Sequence, residues 1–587
     1  MKTIAALAVL AAFGLVASSA SAEPIPYLQL KAGKHGRYKA APAPLQLAAT
    51  GQAVFTNTVY DSENDILEHP FGKPVYENPV MPGFYPDPSI VRTGDDYYLI
   101  NSSFAYYPGI PVFHSKDLVS WQQIGNAIDR PGMLDFSGLA TSRGVFAPQI
   151  SYHDGLFWII NTCVDCKGNF VITAKNPAGP WSDPVFVDFN GIDPSILWDS
   201  DGKAWVTWND APEGPPLYNG HRAIWLQQFD PVAKKMVGPR KVIVNGGTDI
   251  SKKPEWIEGP HLYHINGAYY LMCAEGGTEV NHSEVIFRSE SINGPYVPYK
   301  SNPILTQRDL DPKRIMPVAS TGHADLVQTQ KGDWFAVFLG TQPYQDNLFN
   351  TGRQTFMLPV KWQKDAGGIS WPVILPAGET VPVLADLPDV PGRLNKPHLT
   401  GSAHHGGYAP ANEWLHIRTP AQPFLTVGSG KTESLTLKAL PEAIGDVKSH
   451  PAFIGLRQKH VGMTFTTTIS YQPRGDADRA GIVALQSDDA YLFYGVARYQ
   501  GKTVLEIAKR SGPNDPRDGV PIFAMPLPAE PLTITLDVDG GTAKFSFGKG
   551  RASRVVMENV DVTNLSTAKA GGFVGTIVGL YAYGQNP

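Results

Sequence analysis

Five times along the chain a short apolar strand runs into a tight turn and then into a strand rich in aromatic residues. The turns fall at Gly94-Asp95-Asp96, Asp154-Gly155, Asp201-Gly202, Asn266-Gly267 and Lys331-Gly332. Asp-Gly and Asn-Gly between alternating apolar runs are strong short-range hairpin signals. The strands after them are Tyr97-Tyr98-Leu99-Ile100, Phe157-Trp158-Ile159-Ile160, Trp205-Val206-Thr207-Trp208, Tyr269-Tyr270-Leu271-Met272 and Trp334-Phe335-Ala336-Val337-Phe338. A third strand is legible in some units, as at Ile110-Pro111-Val112-Phe113-His114 and Ile286-Phe287-Arg288. Repeats of three or four strands at this spacing predict an all-β fold, a five-bladed β-propeller. No helical period of comparable length competes. The first strand of each blade lines the central channel, so residues at one end of those strands converge.

Three of the five openings carry a carboxylate. They are Tyr85-Pro86-Asp87-Pro88-Ser89-Ile90, Gly191-Ile192-Asp193-Pro194-Ser195-Ile196 and Ile257-Glu258-Gly259-Pro260-His261-Leu262. The other two are Phe146-Ala147-Pro148-Gln149-Ile150 and Gly322-His323-Ala324-Asp325-Leu326. Asp before Pro is common in turns, where its side chain accepts from the backbone. Glu258 reaches the matching place without that turn motif, which points to chemistry rather than to repeat structure. Hydrolysis of a glycosidic bond needs one protonated and one ionised carboxyl group. A third carboxylate nearby can hold the acid's pKa up by repulsion.

The 587 residues suffice for two domains with large cores. Hydrophobic residues at 42% and charged residues at 18% describe a globular chain. The 58 glycines and 51 prolines suit many short strands joined by turns. A net charge of −5 without basic runs excludes a nucleic-acid groove. Residues 1–22 have the pattern of a secretory signal peptide, with cleavage after Ala22 in Ala20-Ser21-Ala22. The mature protein is therefore expected in the periplasm or the medium. No later segment is apolar enough to span a bilayer, so no membrane association is expected. The sequence carries no reading of oligomeric state.

Residues 23–73, with several prolines and small residues, read as an N-terminal extension lying on the surface or partly disordered. The blades are expected over 74–376 and a stiff Pro-rich linker over 377–397. Short strands continue over 398–587 without the blade pattern and predict a β-sandwich. Cys163 and Cys166 form a C-x-x-C outside any thioredoxin-like pattern. On a flat strand they could not bridge, whereas a turn at Val164-Asp165 would allow a local disulfide.

The three carboxylate openings resemble the signatures of glycoside hydrolase family 43. Ser103-Phe104, His114-Ser115-Lys116-Asp117-Leu118 and Gly322-His323-Ala324-Asp325 match as well, in the right order over about 74–376. The region after 398 resembles the concanavalin-A-like sandwich attached to the family's β-xylosidases and arabinofuranosidases, through Leu456-Arg457-Gln458-Lys459-His460 and Ala480-Gly481-Ile482. The resemblance implies an inverting mechanism with Asp87 as general base, Glu258 as general acid and Asp193 tuning and orienting the acid. Inversion places the Asp87 and Glu258 carboxyl groups about 6.5–9.5 Å apart. It further implies substrate contacts from Arg353, in Thr351-Gly352-Arg353-Gln354-Thr355, and from His323. Phe104 and Phe146 would wall the first sugar subsite, although many family members carry tryptophan where Phe146 stands. No cofactor is required, and His323 would meet an axial water or cation, commonly calcium, for which histidine is a poor ligand. The expected partner is an oligosaccharide or hemicellulose substrate. The leading activity is β-1,4-xylosidase, with α-L-arabinofuranosidase as alternative. A sugar-binding propeller without catalysis, and a sandwich acting as an independent carbohydrate-binding module, are competing readings.

Overall fold

The computed structural model describes residues 51–63, 75–394, 402–406, 411–428, 434–528 and 532–585. The expected signal peptide, most of the expected extension and the end of the expected linker lie outside the described residues. The described chain is all-β, and its one α-helix is the short Thr567–Ala570.

Five antiparallel sheets follow one another in sequence. The first orders Ser89–Thr93, Asp96–Ile100, Gly109–Ser115 and Gln122–Ile128. The second is built on Gln149–His153, Leu156–Val164, Gly168–Ala174 and Val185–Phe186, with Gly144–Val145 added along Leu156–Val164. The third holds Ile192–Trp198, Ala204–Asp210, Ala223–Asp230 and Lys235–Asn245. The fourth is Glu258–Ile265, Ala268–Glu275, Ser283–Ser289 and Val297–Pro298, with Leu305–Thr306 alongside. The fifth is Ala319–Gln328, Trp334–Thr341, Gln354–Lys364 and Ser370–Val373. The hairpin chemistry is visible in the backbone. Asp154 and Gly155 have φ of 49° and 77°, and Asn266 and Gly267 have 51° and 77°. Two successive positive φ values define the type I′ turn that suits the twist of the flanking strands.

Side chains stitch the five first strands into a closed circuit. Ile150 N–H donates to Ser89 Oγ at 3.1 Å, and Ile196 N–H donates to Gln149 Oε1 at 3.2 Å. Ser195 Oγ donates to Pro260 O at 2.5 Å, and Tyr263 OH donates to Asp325 Oδ1 at 2.7 Å. Asp325 Oδ2 closes the circuit by accepting from Ser89 Oγ at 2.7 Å and Ile90 N–H at 2.9 Å. In each Asp-Pro-Ser-Ile copy, then, the serine zips neighbouring sheets together.

Apart from two two-stranded pairs, Val75–Glu77 with Leu384–Asp386 and Tyr106–Tyr107 with His416–Ile417, the remaining strands form two layers. One sheet orders Leu425–Gly428, Ser434–Lys438, Gln52–Glu63, Gly462–Tyr471, Leu532–Asp539, Thr542–Phe547 and Arg554–Asp561, with Ser402–Gly406 also pairing with Gln52–Glu63. The other orders Ala452–Arg457, Ile577–Tyr583, Arg479–Ser487, Ala490–Tyr499, Lys502–Ser511 and Val520–Pro526. Phe55, Phe465, Ile482, Tyr494 and Leu536 fill the core between them. Alternate residues of the six-stranded sheet, Val483, Leu485, Tyr491 and Phe493, join Phe84, Phe104 and Tyr106 of the first region in a second core. A sheet apolar on both faces is buried on both, so the two regions pack as one body along this layer.

Two boundary expectations are corrected. Residues 52–63 do not form a surface extension. Gln52–Glu63 is an interior strand of the eight-stranded sheet, pairing with Ser434–Lys438 on one side and Gly462–Tyr471 on the other. Its alternation buries Ala53, Phe55 and Tyr60. The stretch expected as a stiff linker is no free spacer either. Leu384–Asp386 pairs with Val75–Glu77, and Leu387 and Val390 are buried with Tyr76, Leu118 and Phe335. Cys163 and Cys166 form the local disulfide across a turn, with Cα atoms 5.2 Å apart and Asp165 at φ 64°.

Candidate active site

The site residues stand where the first strands depart from regular pleating. Asp87, Asp193 and His323 have φ of 50°, 54° and 52°, and Gly259, directly after Glu258, has 55°. Pairing registers shift between Ile192 and Ser195, between Glu258 and His261, and around Gly322. Such bulges re-aim a side chain out of the ladder. For a residue other than glycine this conformation costs about 1–3 kcal/mol, and it persists where the surroundings impose it. Gly259 is required for a further reason: a Cβ there would lie 2.9 Å from atoms of the His323 ring.

The three carboxylates meet in one interacting group, with Asp87 and Asp193 buried and Glu258 half-buried. Asp87 is 5% exposed. It accepts from Ser102 Oγ at 2.5 Å, Arg353 Nη1 at 3.0 Å and Arg353 Nη2 at 3.4 Å. Burial pushes its pKa up, but Arg353, His323 and Ser102 together hold it below the ordinary carboxylate value. Asp193 accepts from Gly259 N–H at 3.4 Å, which seats it beside Glu258. Burial and the charges of Glu258 and Asp87 raise its pKa well above the ordinary value. Burial and the charge of Asp87 push Glu258 up to about 7. Asp193 and Glu258 therefore repel each other's ionised forms, and the pair keeps a proton where Asp87 does not.

Arg353 is the hub of the constellation. Besides Asp87 it donates from Nη1 to Thr278 Oγ1 at 3.1 Å and from Nε to Phe573 O at 3.4 Å. Its guanidinium lies 5.8 Å from the Phe104 ring centre and 5.5 Å from that of Phe573. These contacts make Arg353 the buried ion partner that holds Asp87. His323 is likewise a partner of Asp87, with Nδ1 3.7 Å from Oδ1. Burial pushes its pKa down to about 4, so the ring is neutral at physiological pH. Among the described residues no group of three or more His, Cys, Asp or Glu side chains is arranged to hold a metal ion. Calcium takes six to eight oxygens, so an ion at His323 would have to be held mainly through water.

The aromatic wall differs from expectation in depth. Phe104, 1% exposed, is buried among Phe84, Phe146 and Phe573 at centroid separations of 5.8, 5.1 and 5.9 Å. It supports the wall, while Phe146 and Phe573 are half-buried and in contact at 5.7 Å. Phe573 comes from the second region. Its N–H donates to Ser142 Oγ at 2.9 Å, and Gly352 and Gly575 approach so closely that a Cβ on Gly352 would lie 2.8 Å from Gly575 Cα. The Gly571–Gly575 turn therefore brings Phe573 against Arg353, Phe104 and Phe146. The sequence reading passed over Phe573, Thr278 and Ser102. The glycines flanking Phe573 and the Gly276-Gly277-Thr278 turn were the signals available.

Comparison with known proteins agrees with this geometry. Residues 76–367 match the model for glycosyl hydrolases family 43, and residues 408–587 match the beta xylosidase C-terminal concanavalin A-like domain. The chain belongs to glycosyl hydrolases family 43 and is a glycoside hydrolase. It is 36% identical over 515 residues to a xylosidase/arabinosidase of Butyrivibrio fibrisolvens, covering 86% of this chain and 96% of that one. It is 34% identical over 517 residues to a non-reducing end alpha-L-arabinofuranosidase of Bacteroides ovatus, covering 87% and 92%. Among solved structures, a GH43_12 protein retrieved from a capybara gut metagenome superposes with a TM-score of 0.80 at 38% identity, covering 90% of this chain and 99% of that one.

Proposed function

We propose that the protein is an exported, inverting exo-glycosidase that releases terminal pentose units from hemicellulose fragments, with β-1,4-linked xylo-oligosaccharides as leading substrate. The observation that carries this reading is the opposite displacement of two carboxyl groups in one pocket: Asp87 is held low and Glu258 is raised to about 7. Near neutral pH this leaves Asp87 ionised to take a proton from water and Glu258 able to donate one to the leaving oxygen. Water's oxygen bonds to the anomeric carbon as the glycosidic C–O bond breaks. Water's proton passes to Asp87 and Glu258's proton goes to the departing sugar. Burial and the charge of Asp87 sustain the proton on Glu258, and Asp193, seated beside it by Gly259 N–H, orients the acid. The five sheets are read as the five blades of a propeller whose channel opens on the site. The Gly571–Gly575 turn sets Phe573 against the site, and we read it as closing one side, which favours cleavage from a chain end over cleavage within a chain. No step passes through a calcium ion. Export rests on the 1–22 pattern alone.

α-L-Arabinofuranosidase is the second reading, favoured by the Bacteroides ovatus relative and by the dual name of the Butyrivibrio one. Rates on the two nitrophenyl pentosides separate the readings. The test of the acid is Glu258→Gln. Hydrolysis of an alkyl or sugar pentoside should fall by about 10²–10⁴-fold, and that of a pentosyl fluoride, whose leaving group needs no proton, far less. Equal losses on both would remove Glu258 from the acid role, and a wild type inert on every pentoside would favour a non-catalytic sugar binder.

A further inference from the structure

Beside Glu258 lies an aromatic surface that the mechanism above does not use. Trp256 is 36% exposed, whereas Ile257 is buried and Glu258 is half-buried. Trp256 stands two residues before Glu258, within about 7 Å along the chain, just ahead of the strand that begins at Glu258. Trp256 is held firmly for an exposed residue. Its φ is 52°, and its N–H donates to Gly220 O at 2.8 Å. A bulky side chain adopts such a φ only when the surroundings dictate it.

The guanidinium of Arg222 lies over the indole, 4.6 Å from the ring centre. The same cation reaches Glu258 electrostatically and partly offsets the rise in its pKa. On another side, a Cβ on Gly277 would lie 3.5 Å from Trp256 Cδ1, and the next residue, Thr278, accepts from Arg353. Trp256 is thus linked to Arg353 through Gly277 and Thr278 and lies two residues from Glu258. The rings of Phe104, Phe146 and Phe573 gather on the Arg353 side and form a separate wall.

In glycoside cleavage the acid protonates the oxygen of the departing sugar, so what flanks the acid outside the first-sugar wall meets that sugar. We propose that Trp256, with Arg222 stacked on it, is the platform for the leaving sugar and sets specificity for the unit next to the bond cleaved. The indole offers a flat apolar face to the sugar ring, and the guanidinium offers N–H donors to its hydroxyls. This inference rests on the exo-glycosidase reading and names the recognition that the reading leaves open.

The test compares a disaccharide with a glycosyl fluoride of the same pentose, xylosyl or arabinofuranosyl, whichever the wild type cleaves. Fluoride leaves without occupying the platform. The ratio of kcat/KM for disaccharide to kcat/KM for fluoride should fall about five- to tenfold in Trp256→Ala. Trp256→Phe should recover most of the ratio, and Arg222→Met should lower it in the same direction. Arg222→Met decides the matter should Trp256→Ala fail to fold. Ratios equal to the wild type in the alanine and methionine variants would overturn the platform and leave the hydrolase reading standing. A wild type inert on both pentose pairs would overturn the hydrolase reading, and the platform with it.

Discussion

Arg353→Met removes the cation facing Asp87, and its consequence can be worked out with its sign. In the wild type Nη1 stands 3.0 Å from Asp87 Oδ1, with side chains 7% and 6% exposed. An opposite charge at that range holds a carboxyl group down by about 1–3 pH units. Asp87 serves as base only when ionised. Its pKa lies below the ordinary 3.8, so this requirement is met above that value and is lost as pH falls through it. Without Arg353, burial is opposed only by His323, Ser102 and His282. The acidic limb of kcat/KM should then move up by about 1–3 pH units. Arg353 also lowers Glu258, so the alkaline limb, near 7 in the wild type, should move upward as well. The assay is the pH dependence of kcat/KM on an aryl pentoside. Leaving Asp87 buried without its partner costs about 3–5 kcal/mol of stability, so folding is checked by thermal melting. Arg353→Lys, which keeps the charge and loses the fork, should show a smaller shift. An acidic limb that stays in place in folded Arg353→Met would refute the pairing as the cause of Asp87's low pKa.

The other consequences follow from the same contacts. Asp325→Ala removes the acceptor that joins the fifth sheet to the first, through Ser89 and Ile90. It should cost about 3–5 kcal/mol in denaturant unfolding, and a loss below about 1 kcal/mol would show that the circuit does not depend on it. Phe573→Ala should raise KM on pentosides and lower kcat/KM by about tenfold by opening the wall shared with Phe104 and Phe146; unchanged kinetics would remove the second region from the site. Deleting residues 52–63 takes an interior strand from the eight-stranded sheet and should prevent cooperative folding of 402–585. Retention of a sharp melting transition in that variant would contradict the pairing of Gln52–Glu63.

The repeat of turns and aromatic strands was legible because each hairpin signal is local. Asp154-Gly155 and Asn266-Gly267 carry their φ requirements in their own residue types. The carboxylates were legible for the same reason, as each sits in a short motif opening a first strand. Gln52–Glu63 was not legible. Its partners lie about 340 to 420 positions away, and its run of Thr, Asn and Ser hid an alternation whose buried apolar residues are Ala53, Phe55 and Tyr60. The 377–397 stretch was read as spacer because its prolines outweighed Leu387 and Val390, which pack. Phe573 was missed since a site residue delivered by a turn of the second region carries no motif of the first. Arg353 was found, but its donors are committed to Asp87, Thr278 and Phe573 by contacts no single segment encodes.

The central claim is that Asp87 and Glu258 work from opposite sides of the scissile bond, one activating water and one protonating the leaving oxygen. Proton NMR of the first sugar released from a β-xyloside tests it directly, before mutarotation mixes the anomers. The α-anomer should appear first. Initial release of the β-anomer would contradict the assignment, because it would require a carboxylate to attack the sugar itself.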